Sequence, residues 1–138
     1  VAMELGATLA VTPEDALAAA EDMTDGEGFP SVAVAVGLAG AVPTALELTR
    51  RLGRVNLFAG FPPGSSYALD LNKLHYDEIF LFGTQNAPFA QYSRAAKLVS
   101  RIPGIDRIVT NRYSLAEAAD AYSARLGKDG LKSAVVMV

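Results

Sequence analysis

The sequence predicts an α/β fold built on a parallel sheet. Three observations carry that prediction. Short apolar runs recur at SVAVAV (31–36), RVNLF (54–58) and IFLF (79–82), each the length of a strand. Helix-forming stretches stand between them, so the strands are joined by crossovers rather than hairpins. Each run also ends at or near a glycine, Gly37, Gly60 or Gly83, where a strand gives way to a turn.

The elements follow in order. Met3, Leu5 and Ala7 read as the last turn of a helix stopped by Gly6, and Thr8 to Val11 as a strand. The opening is either a frayed terminus or the middle of a longer chain, and we expect the second. Thr12-Pro13-Glu14-Asp15 places an N-cap, a proline at the first helical position and two acids in the first turn, which predicts a helix over PEDALAAAEDM. DGEGFP breaks it. Ser31 to Val36 then reads as a strand covered on both faces. VPTALELTRRLG has Ala45, Leu46, Leu48 and Leu52 at helical spacing, Arg50 and Arg51 in the last turn and Gly53 as the stop. After the strand at 54–58, Ala59-Gly60-Phe61-Pro62-Pro63-Gly64 is a turn, and the strand at 79–82 follows. A helix over FAQYSRAAKLVSRI ends at Pro103-Gly104. A strand-like RIVTNRY, a helix from Ser114 to Leu126 opened by a Ser114–Glu117 capping box, a GKDG turn and a final strand KSAVVMV complete a small β-α-β segment.

Composition sets bounds on function. A chain of 138 residues, half hydrophobic and one fifth charged, has the makings of a packed core. Its 12 basic residues against 15 acids give a net charge of −3, and the cations form no long stripe, which argues against a nucleic-acid surface. With no cysteine and one histidine, neither a disulfide framework nor a thiolate or His-rich zinc site can form. Apolar stretches are interrupted well short of a membrane span, so we expect a cytoplasmic protein.

The chemistry-bearing candidates are few. Ligands of open parallel sheets bind beyond the carboxyl ends of the strands, where glycine admits a bulky group to the backbone. Gly37, Gly60 and Gly83 therefore read either as turn residues or, jointly, as the edge of a nucleotide-like site. His75, inside NKLHYDEIFLFGTQN, has no acid or nucleophile at relay spacing and reads as structural. Asp77 and Glu78 are adjacent and would point apart on a strand. Gly26 and Gly28 precede a strand, whereas a phosphate cradle of the GxGxxG kind follows one.

The order LGATLAVTP, helix, SVAVAVG, ALELTRRLGRVNLFAGFPPG, LDLNKLHYDEIFLFGTQN, IDRIVTNRYSLAEAADAY and GLKSAVVMV resembles the C-terminal half of a zinc-containing medium-chain alcohol dehydrogenase. The polyol (sorbitol-like) and threonine dehydrogenase branch is the nearest in its LHYDEI and TNRYSL segments. The resemblance implies a partial Rossmann-type sheet over residues 1–86, without its first strand, GxGxxG or second strand. Residues 87–138 would then belong to the catalytic domain. It implies NAD or NADP as cofactor, a small alcohol, polyol or amino alcohol as substrate, and zinc in the parent enzyme only. It places Val36 and Gly37 beside the adenosine half of the cofactor, and Ala59, Gly60 and Phe61 at the nicotinamide ribose and carboxamide. Phe82, Gly83 and Thr84 fall beside nicotinamide and substrate. Lys132 falls near the pyrophosphate, or is an ordinary surface lysine. Gly83-Thr84 replaces the larger polar groups of sorbitol-type enzymes, which loosens the polyol assignment. A homodimer or higher homo-oligomer is expected through the edge at Tyr67 to Leu71. The competing reading is a stand-alone, non-enzymatic α/β module that binds a nucleotide or another subunit.

Overall fold

The computed structural model describes residues 1–137. The chain divides into two compact units: Val11–Ala87, and Val1–Ala10 together with Pro88–Val138.

In the first unit, β1 (Phe29–Val34), β2 (Thr49–Leu57) and β3 (Phe80–Gly83) form a parallel sheet in the order β1-β2-β3. Helix α1 (Ala16–Thr24) leads into β1, α2 (Ala41–Glu47) connects β1 to β2, and the short α3 (Leu71–Tyr76) lies between β2 and β3. The register sets Val34 beside Leu57 and Leu57 beside Gly83. Alternation then decides the core: Val34, Val42, Ala45, Leu46, Val55 and Ile79 are buried together, and Val55 on the middle strand is fully enclosed.

Several boundaries differ from those the pattern predicts. Thr8–Val11 is irregular chain rather than a strand, and Met3–Leu5 is one 3-10 turn, capped as expected by Gly6 with φ 98°. The segment PEDALAAAEDM opens with a 3-10 turn, Pro13–Asp15, before α1. β1 ends at Val34, three residues ahead of Gly37, and only Val34 in it is buried, so it is not covered on both faces.

The largest correction concerns TRRLG. Helix α2 stops at Glu47 because the Thr49 hydroxyl donates to the Ala45 carbonyl at 2.6 Å and the Phe29 N–H takes the Leu48 carbonyl at 2.8 Å. Arg50, Arg51 and Leu52 thereby enter β2 through an irregularity in its register with β1. Leu52 sits at φ 61°, its N–H donating to the Asp77 carbonyl at 2.8 Å, while Arg51 pairs with Glu78 at 2.9 Å. Contacts distant in sequence override a helical pattern here. Gly53 is a buried strand residue, not a helix stop.

α3 is opened by Asp70, whose carboxylate accepts the N–H groups of Asn72 at 2.9 Å and Lys73 at 3.4 Å. His75 belongs to this helix, exposed, its ring edge-on to Tyr76 at 4.8 Å.

In the second unit, α4 (Phe89–Val99) precedes β4 (Asn111–Ser114), α5 (Ala118–Leu126) and β5 (Ser133–Val136), with β4 and β5 parallel. The strand-like RIVTNRY divides into a 3-10 turn at Ile105–Ile108 and β4. The final strand covers the middle of KSAVVMV, and Val138 lies outside the described residues. Glu4 pairs with Arg107 at 2.9 Å, holding the N-terminal turn to this unit.

The Ser114–Glu117 box forms as its spacing predicts: the Ser114 N–H and hydroxyl both donate to the Glu117 carboxylate at 2.8 Å. The backbone donor, and after it the hydroxyl, hold that carboxyl below its ordinary range. A lowered folded value means that the contribution is complete above the unfolded glutamate value. It begins to fade as pH falls below roughly 4 and is gone once the lowered value has been passed. We expect Glu117→Gln to speed amide exchange in α5 at neutral pH and to flatten its acid dependence. Superimposable exchange profiles for the two proteins would contradict the assignment.

Candidate functional site

The carboxyl ends of the three strands make one continuous edge. Beyond Val34, Leu57 and Gly83 the chain stays stitched together: the N–H groups of Phe58 and Ala59 donate to the Val34 carbonyl at 3.1 and 3.0 Å, and that of Thr84 donates to the Leu57 carbonyl at 3.3 Å. The Thr84 hydroxyl donates to the Asn56 side-chain carbonyl at 3.1 Å. Val36, Gly37, Ala59, Gly60, Phe61, Phe82, Gly83 and Thr84 therefore all come to the same end of one sheet.

The three glycines have different physical reasons. A Cβ on Gly37 would stand 2.5 Å from the Gly60 carbonyl oxygen, so this glycine lets two strand ends close on each other. A Cβ on Gly60 would meet nothing within 4 Å, and one on Gly83 only the Leu57 carbonyl at 4.0 Å. The space over Gly60 and Gly83 is open to a ligand, whereas that at Gly37 is already filled by backbone. We expect Gly37→Ala to lower stability by about 1–3 kcal/mol, as overpacking against a backbone group that cannot swing away does, and Gly60→Ala to be nearly neutral. Urea unfolding of the two variants checks the contrast.

The edge is apolar and uncharged. Val36 and Phe82 are 46% and 43% exposed, and none of the eight residues carries an ionisable side chain. An apolar recess of about 210 Å³ opens beside it, walled by Ala39, Val42, Leu57, Phe61, Tyr67 and Leu69. The reading from sequence missed Asn56, Tyr67 and Leu69. Asn56 had a signal: it is the one amide within the apolar run of RVNLF, one residue short of the strand end. Tyr67 and Leu69 had none, since they reach the recess through an irregular crossover.

Lys132 belongs to the other unit, where it is exposed and its carbonyl accepts the N–H groups of Thr110 at 3.0 Å and Asn111 at 3.2 Å. For zinc the donor set does not fit: among the described residues no group of three or more His, Cys, Asp or Glu side chains converges. Among the same residues no helix is long and apolar enough to cross a membrane.

A parallel sheet with an open, glycine-edged carboxyl end agrees with the comparisons. The family model described as zinc-binding dehydrogenase matches residues 1–101. The chain belongs to the zinc-binding dehydrogenase family. Solved structures share its fold. An alcohol dehydrogenase from Thermotoga maritima is 22% identical with a TM-score of 0.92, over 99% of this chain and 40% of that one. The alcohol dehydrogenase of Thermus sp. ATN1 is 28% identical with a TM-score of 0.81, over 99% and 41%. A structure described as a zinc-binding dehydrogenase from Sinorhizobium meliloti 1021, bound to NADP, is 29% identical with a TM-score of 0.72, over 88% and 37%. This zinc-binding dehydrogenase chain thus spans about two fifths of the length of the solved structures it matches. No curated protein matches it.

Proposed function

We propose that this chain supplies one wall of the NAD(P) site of an alcohol dehydrogenase. The observation that carries the proposal is the open backbone at Gly60 and Gly83 on the carboxyl edge of a parallel sheet, where flat ligands of α/β proteins lie. Ala59, Gly60 and Phe61 would face the nicotinamide ribose and carboxamide. Phe82, Gly83 and Thr84 would face the nicotinamide and the alcohol. Val36 and Gly37 would lie toward the adenosine. A bound nicotinamide supplies a hydride acceptor. The residues of this edge do the rest: Val36 and Phe82 exclude water with apolar surface, and Thr84, fixed by Asn56, orients the strand end.

In this reading residues 1–86 are the later part of a dinucleotide-binding domain and residues 87–138 part of a catalytic domain. The free edge of β1 supports the first half of that division. β1 pairs on one side only, and beside it, between the strand and α2, lies an apolar groove of about 520 Å³ lined by Val32, Val34, Val36, Leu38, Ala41 and Leu48. We also place the protein in the cytoplasm as a homodimer paired through Tyr67 to Leu71, where Leu71 is 71% exposed. At about 0.5 M NaCl, where contacts between exposed charges are screened, Leu71→Lys is expected to yield the monomer in light scattering; a species unchanged in size would refute that pairing.

The cofactor wall is tested by NMR titration of labelled protein with NADH. Shifts should concentrate on the amides of Gly37, Gly60, Gly83 and Thr84 and vanish in Gly83→Trp. Shifts confined to other segments, or none with cofactor raised to about 50 mM, well above a millimolar Kd, would sink the proposal.

A further inference from the structure

Helix α4 reads FAQYSRAAKLV and contains no acid, yet Arg94, Lys97 and, just past its end, Arg101 fall at i, i+3 and i+7, on one face beside the exposed Leu98. All three cations are exposed, and among the described residues none is in an ion pair. They line an open concavity together with Gln91 and Ala95. The chain holds a surface of opposite sign. No lysine or arginine precedes Arg50, and Glu14, Glu21, Asp22 and Asp25 occupy one exposed side of α1 and its flanking turns, beside the exposed Leu17. Each face is thus an exposed leucine flanked by charges of a single sign, and the two signs are opposed.

We infer that the basic face of α4 receives the acidic face of α1 from a second copy of this chain. Like-charged side chains packed on one helix face repel one another, and an opposed face relieves both repulsions while covering Leu17 and Leu98. This contact is separate from the pairing proposed at Tyr67 to Leu71 and does not depend on the cofactor site.

Sedimentation equilibrium of the full chain carrying Leu71→Lys, which removes the pairing at Tyr67 to Leu71, tests it at tens of micromolar. Association is expected at low salt and should weaken roughly tenfold or more as NaCl rises to about 0.5 M, where screening is nearly complete over a few ångströms. The triple variant Arg94→Glu/Lys97→Glu/Arg101→Glu should lose association, as should Glu21→Lys/Asp22→Lys/Asp25→Lys. An equimolar mixture of the two should regain it at low salt, which a misfolded variant could not do. A monomer at every salt concentration would overturn the inference. So would an assembly indifferent to salt and to both triple variants, or basic-face variants that lose binding to phosphatidylserine vesicles while self-association is unchanged.

Discussion

No oxidation of alcohols is expected from this 138-residue chain, with or without added zinc, and its affinity for NAD(P) should be no better than millimolar. The reason lies in what the sheet edge offers. Gly60 and Gly83 leave room for a flat ring, but the eight residues of the edge carry no charge to meet a pyrophosphate, and the sequence has no GxGxxG to bring helix N–H groups to it. Two missing charge-assisted hydrogen bonds, at roughly 1.5–3 kcal/mol each, weaken a micromolar cofactor by about two to four orders of magnitude. The donor set for zinc is likewise absent among the described residues, so nothing here would polarise an alcohol oxygen. Calorimetric titration and the absorbance of reduced nicotinamide test the two halves separately. Binding tighter than about 100 µM, or turnover that survives Gly83→Trp, would mean that the edge is a complete site.

Val55→Ala should cost about 2–3 kcal/mol, a large share of the stability of a small domain. Among the described residues Val55 is the one large side chain enclosed completely, at 0% exposure, and it lies on the central strand between Val32 and Leu81 in the register of the sheet. Its removal leaves a cavity that α2 cannot close, because Val42, Ala45 and Leu46 already pack into the same cluster. Denaturant unfolding followed by far-UV circular dichroism should show a lower midpoint with little change in slope. A midpoint within experimental scatter of the parent would place the packing centre elsewhere.

Much of this protein was legible in its sequence because the signals were local. Short apolar runs closed by a turn or glycine marked the strands at 54–57 and 80–82, and the parallel β4-α5-β5 segment could be read from pattern and link length. The Ser114–Glu117 box involves residues three apart and formed as read. The alignment of Gly60 and Gly83 at one sheet edge likewise follows once parallel pairing is granted.

Tertiary structure decided what depends on partners far away in the chain. TRRLG continues a helical pattern, yet the Asp77 carbonyl, Glu78 and Phe29 draw it into β2, and none of them is visible from within the segment. Thr8–Val11 has strand composition but finds no ladder, since a strand needs a neighbour to satisfy its backbone whereas a helix satisfies its own. Gly37 and Gly60 are the same residue type at the same sheet edge, and only the packed backbone separates them: at Gly37 another carbonyl leaves no room for a Cβ, whereas at Gly60 nothing stands within 4 Å of one.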